Sequence, residues 1–234
     1  MRFPFVIQAS ESLNRLLFPP VCVLCEEKLK PDEAQLCLYC EADLPYSRHY
    51  RQLTNNEMHR SLGARFGWMY AGSLLYFTKE GPVRKILHEI KYRNREELAR
   101  EMGLRMGRQL LTACLNKPDA LVAVPLHPNK LKKRGFNQSQ RLASAISEVV
   151  RIPQRTDLLV RNLDLKSQTK LGRSARWENI SQAFSALPEA RGLHIALVDD
   201  MVTTGSTLEA CTLALDACGA AAVSVFSLAY EAGQ

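Results

Sequence analysis

The stretch "IALVDDMVTTGST", residues 195–207, decides the fold. It opens as a short apolar run, which together with His194 reads as a buried strand over residues 194–198. Asp199 and Asp200 follow at its end. The loop Met201–Thr207 then leads into a helix read over residues 206–219. The backbone N–H groups of such a loop, and of the first turn after it, favour an anion. Thr203, Thr204, Ser206 and Thr207 add hydroxyl donors, and Gly205 permits a tight turn and close approach of a phosphate. No lysine follows the glycine, so this is not a Walker A loop. Two acids beside an anion loop need something between the charges. A ribose 5-phosphate meets both demands, with its phosphate in the loop and its hydroxyls on Asp199 and Asp200. The plainer alternative is a strand ending in two capping acids, since Asp is common at such turns; the length of the pattern favours the sugar phosphate.

The flanking sequence alternates strands and helices. "AGSLLYFT" reads as a strand and "GPVRKILHEIKY" as a helix from Pro82, with Val83, Ile86, Leu87 and Ile90 on one side. "REELAREMGLRMGRQLLTACL" reads as a longer helix. "ALVAVPL" is a buried strand, "HPNKLKKRG" a basic loop, and "NQSQRLASAISEVVR" an amphipathic helix capped by Asn137. "AAVSVFSLAY" supplies a last strand. This order predicts an α/β fold with a mostly parallel sheet. Residues 46–70 show no clear period, and residues 161–184 are polar, basic and weakly periodic. Residues 8–17 read as a short amphipathic helix stopped by Pro19 and Pro20.

Cys22, Cys25, Cys37 and Cys40 form two C-x2-C hooks separated by 11 residues. Two such hooks can wrap four thiolates around one structural Zn2+. Seven cysteines, an odd number, do not suit a disulfide scaffold in a chain of 234 residues. Cys114, Cys211 and Cys218 sit among apolar residues and read as core. The N-terminus lacks a signal-peptide pattern, and no apolar run approaches the ~18 residues of a membrane span. The expected location is cytoplasmic. The formal charge of +7 suits anionic small molecules, nucleic acid or simply a basic surface.

Several segments together resemble the ComF/GntX family. They are "FPPVCVLC" with the second cysteine pair, "GPVRKILHEIKYRNR", "VAVPLHPNKLKKRGFNQS", "QTKLGRSARWENISQAF" and the opening stretch, in that order. The opening stretch itself resembles the 5-phosphoribosyl 1-pyrophosphate (PRPP) signature of type I phosphoribosyltransferases. The resemblance implies a type I phosphoribosyltransferase-like domain, a mostly parallel sheet flanked by helices, at residues 46–234. A small N-terminal zinc module built on the four cysteines precedes it at residues 1–45. The resemblance also implies that Asp199 and Asp200 are the catalytic, ribose-binding pair. Thr203, Thr204, Gly205, Ser206 and Thr207 would bind the 5-phosphate. A pyrophosphate loop would lie near Pro125–His127, followed by Lys130, Lys132, Lys133 and Arg134, as clamp or as solvated charges. Pro125 and Pro128 lack N–H donors, a departure from loops built of small donating residues. Lys91, Tyr92 and Arg93 match a family motif, and equally suit a helix end. Gln168, Arg173 and Asn179 would line the acceptor side. His88, His127 and His194 receive no role.

The resemblance links the chain to DNA uptake in competence, or to use of external DNA as a nutrient, without an established reaction. Three readings follow. One is a phosphoribosyltransferase using PRPP with Mg2+ and a nitrogenous acceptor, for which no base is evident. Another is a PRPP or nucleotide binder without turnover. The last is an adaptor for DNA-uptake proteins and single-stranded DNA, with Phe136 and Trp177 as stacking platforms or, equally, as core residues.

Overall fold

The structure is a computed structural model describing residues 19–113, 116–162 and 183–233. The chain divides into two compact units, Met1–Leu44 and Pro45–Gln234. The expected helix at residues 8–17 lies outside the described residues, as do Cys114, Gln168, Arg173, Trp177 and Asn179. Among the described residues no helix is long and apolar enough to cross a membrane.

In the smaller unit the first cysteine hook turns back on itself through a bridge between Val21 and Lys28. The second hook opens the short helix α1 (Leu38–Ala42). The Glu33 carboxylate accepts from the N–H groups of Lys30 and Leu38, at 2.7 and 2.8 Å, and so ties the segment between the hooks to the second one.

The larger unit is built on a four-stranded sheet among the described residues. Its strands are β1 (Ala71–Tyr76) and β2 (Ala120–Ala123), followed after a small antiparallel pair, β3 (Leu159–Arg161) and β4 (Phe184–Ala186), by β5 (His194–Val202) and β6 (Ala222–Tyr230). The sheet order is β1-β6-β5-β2, and every pairing in it is parallel. The helices are α2 (Ala64–Phe66), α3 (Pro82–Tyr92), α4 (Glu96–Thr112), α5 (Pro128–Arg134), α6 (Gln138–Val150) and α7 (Ser206–Cys218). Parallel strands need crossover connections, which place helices against the faces of the sheet. One face packs Ile195, Leu197, Val223 and Val225 with Leu208, Cys211 and Leu215 of α7. On the other face α4 and α6 lie close together. A Cβ at Gly103 would come within 2.7 Å of the Ala145 Cβ, and one at Gly107 within 2.8 Å of the Val149 Cβ. The two glycines are what let these helices approach.

Two expectations need correction. "HPNKLKKRG" is not a loop but the helix α5. His127 caps it, Nδ1 accepting from the Asn129 N–H at 3.1 Å; Pro128 occupies the first turn, and Gly135 ends it at φ +81°. The strand expected to stop at residue 198 continues to Val202. It continues because β6 runs equally far: Asp199 pairs with Ser227 and Val202 with Tyr230. The two acids therefore sit inside the ladder, and successive side chains there point to opposite faces.

Candidate functional site

The loop Thr203–Gly205 lies at the carboxyl end of β5, where parallel sheets place their ligands. Gly205 stands at φ +75° and starts α7 without a capping side chain. The first N–H groups of α7 thus keep no side-chain partner at the cap position. Thr203, Thr204, Ser206 and Thr207 are exposed, and the Thr204 and Ser206 hydroxyls share a hydrogen bond of 2.9 Å. A cavity of about 70 Å³ opens here, lined by the loop, by Leu208 and by Asp199.

Below the loop lies a segment with no periodic signal in its sequence. Residues His59–Gly63 form a turn of π-helix that runs into α2. Leu62 and Phe66 from this segment floor the loop: a Cβ on Gly205 would fall 2.9 Å from Phe66 Cε2 and 3.3 Å from Leu62 Cδ1. Trp68 anchors the segment, its indole N–H donating to the Thr212 hydroxyl of α7 at 2.8 Å.

The two acids have different surroundings. Asp199 faces the loop cavity, and its Oδ1 accepts from the Ser139 hydroxyl at 2.8 Å and from the Asp200 N–H at 2.9 Å. Burial, and then the neighbouring Asp200 charge, push the Asp199 carboxyl up to about 7. Asp200 does not line that cavity. It is buried and paired with Lys91, Nζ to Oδ1 at 2.9 Å. Lys91 is thus more than a cation at a helix end, and Ser139 is a partner that sequence reasoning missed. Each is set by contacts distant in sequence; the only linear signal was their position inside quoted motifs.

Those two motifs meet in space. The Arg134 guanidinium lies 5.7 Å from the centroid of the Tyr92 ring and donates to Gln138 Oε1 at 2.9 Å. A Cβ at Gly135 would lie 3.2 Å from Asn94 Oδ1. Lys130, Lys132 and Lys133 are exposed on α5, and Tyr92 is 55% exposed beside it. Phe136 is buried, so it is a core residue and not a stacking platform. His194 bonds Ser224 at 2.8 Å, and the His88 ring lies 5.1 Å from that of Tyr92.

In the other unit, one ligand atom from each of Cys22, Cys25, Cys37 and Cys40 lies within 4.8 Å of every other. The Cys25 and Cys37 sulfurs are 3.7 Å apart, close to the edge of about 3.8 Å for a tetrahedron of 2.3 Å metal–sulfur bonds. Cys22 Sγ accepts from the N–H groups of Leu24 and Cys37, both at 3.4 Å, which suits a thiolate. The four cysteines fit a metal ion.

Comparison with known proteins agrees with this architecture. Residues 129–233 match the family described as phosphoribosyl transferase domain. DNA utilization protein YhgH of Escherichia coli (strain K12) is 32% identical over 151 residues, covering 63% of this chain and 66% of that protein, just under two thirds of its length. Competence protein F of Haemophilus influenzae is 27% identical over 216 residues, 89% of this chain and 90% of that protein. Among solved structures, the glutamine PRPP amidotransferase from B. subtilis complexed with ADP and GMP superposes with a TM-score of 0.43 at 19% identity, over 60% of this chain and 30% of that one. The domain match makes residues 129–233 phosphoribosyltransferase-like, and the relatives that the chain resembles are named for competence and DNA utilisation.

Proposed function

We propose that this protein binds PRPP or a related phosphoribosyl compound and serves DNA uptake or utilisation, the roles named in its relatives. The observation that carries the binding proposal is the glycine-initiated α7 beneath Thr203–Thr207, with Asp199 on the same cavity. The loop donors take the 5-phosphate, and the acids take the sugar. Lys130, Lys133 and Arg134 lie on the helix that follows β2, and are proposed to meet the pyrophosphate. Mg2+ bound with PRPP would supply charge neutralisation to the pyrophosphate. Transfer of ribose 5-phosphate to a nitrogenous acceptor is the reaction such a site suits. In the smaller unit the four cysteines are proposed to hold a structural Zn2+, which supplies folding energy where little apolar core exists.

A second reading, single-strand binding as an adaptor, is favoured by the exposed Tyr92 beside the lysines of α5. Thermal melting with PRPP and Mg2+, ribose 5-phosphate, or a short DNA strand separates the two. Stabilisation by PRPP and ribose 5-phosphate, reduced in Asp200→Ala, supports the first. Stabilisation by DNA alone, falling with salt, replaces it by the second. Pyrophosphate release with a panel of nucleobases reads transfer.

A further inference from the structure

Acids that take a sugar must hold their acceptor oxygens in place before the sugar arrives. The structure grips each carboxylate by one oxygen. Asp199 Oδ1 accepts from the Ser139 hydroxyl at 2.8 Å and from the Asp200 N–H at 2.9 Å. Asp200 Oδ1 meets the Lys91 ammonium, with Nζ at 2.9 Å. Among the described residues, no hydrogen bond or ion pair reaches Oδ2 of either acid. The Asp200 side chain keeps 11% of its surface exposed, so the carboxylate is not sealed from a ligand. Lys91 stands on firm ground. It sits in the last turn of α3, which is anchored by the buried Val83, Ile86, Leu87 and Ile90. Just beyond it, the Arg134 guanidinium lies over the Tyr92 ring and Asn94 abuts Gly135.

We infer that Lys91 is a positioning residue of this site: its one-point ion pair on Oδ1 fixes the Asp200 carboxylate so that Oδ2 accepts from a ribose hydroxyl. The inference rests on the sugar-phosphate reading above and adds to it a residue that does not touch the sugar. A carboxylate this buried needs a cation or several donors. An ammonium meets that need as a compact point charge and engages one oxygen. A guanidinium in its place would fork across both oxygens and withdraw Oδ2 from the ligand. The shape of the cation, and not only its charge, therefore sets whether Asp200 can read a sugar.

Calorimetric titration of the full chain with ribose 5-phosphate and with methyl phosphate tests this. Both ligands are phosphate monoesters, and only the first has sugar hydroxyls. The ratio of the two affinities therefore separates hydroxyl recognition from any change in net charge. The wild type should prefer ribose 5-phosphate. Lys91→Met should lower that preference about tenfold, the worth of one hydrogen bond to a charged group. Lys91→Arg keeps a cation beside the buried acid, so its result stands even where Lys91→Met does not fold, and it should show the same drop. In an Asp200→Ala background neither substitution should change the ratio further, because Lys91 acts through that carboxylate. A wild-type ratio in Lys91→Arg, or a drop that persists without the Asp200 carboxylate, overturns the inference and leaves the sugar-phosphate reading standing. A wild type with no preference for ribose 5-phosphate defeats that reading itself, and the role of Lys91 falls with it.

Discussion

Replacing Gly205 by alanine tests how the loop Thr203–Gly205 is held. The new side chain has two separate costs. At φ +75° a residue with a Cβ loses roughly 1 kcal/mol relative to glycine. Its Cβ would also stand 2.9 Å from Phe66 Cε2, so the ring must shift, adding about 1–3 kcal/mol. Gly192 provides an internal reference. It has nearly the same φ, +74°, but nothing lies within 4 Å of its added Cβ, so Gly192→Ala carries the backbone cost alone. For a unit of this size each kcal/mol moves the midpoint by about 2–4 °C. Gly205→Ala should therefore melt roughly 5–15 °C lower, and Gly192→Ala only about 2–4 °C lower. Differential scanning calorimetry of both variants, and of Phe66→Ala with and without Gly205→Ala, isolates the contact as a coupling energy. Equal losses for the two glycine variants, or no coupling to Phe66, would show that the π-helical segment does not support the loop as described.

Burial holds the His49 imidazole down at about 4, so the folded chain binds fewer protons than the unfolded chain between that value and the ordinary 6.5. Stability present above pH 6.5 should be lost as pH falls toward 4, by up to about 3 kcal/mol, and His49→Phe should flatten that limb of a melting-temperature profile. Cys40→Ser should reduce bound zinc, measured by elemental analysis, from about one ion per chain to near none, and open the smaller unit to protease. Thr212→Val should leave the Trp68 indole N–H without its partner at a cost of about 1–3 kcal/mol in denaturant unfolding, with a change in tryptophan fluorescence. His127→Ala should cost about 0.5–2 kcal/mol locally, seen as faster amide exchange at Asn129 and Lys130.

Local chemistry made much of this legible. The apolar run before Asp199, the glycine at residue 205 and the helical spacing after it identify a strand, a glycine turn and a helix without reference to distant residues. The cap at Asn137 is likewise local: its Oδ1 accepts from the Ser139 N–H at 3.0 Å. The length of β5 was not legible, because β6 sets it by pairing beyond the acids. A run of four cations around Leu131 resembled a solvated loop, since its helix depends on the His127 cap and the terminal glycine more than on an apolar face. Residues 59–68 lacked a readable period because a π-turn breaks the 3.6-residue repeat. The different partners of Asp199 and Asp200 could not be seen either, since Lys91 and Ser139 come from helices far from them along the chain.

Gly103 and Gly107, where α4 meets α6, bear on that difference. The cation leads into one of these helices through α3, and the hydroxyl opens the other, so the joint works as a pair of tongs with its hinge remote from its tips. A methyl group added at the hinge would spread the grip on the two carboxyl groups and alter the field at a loop it never touches.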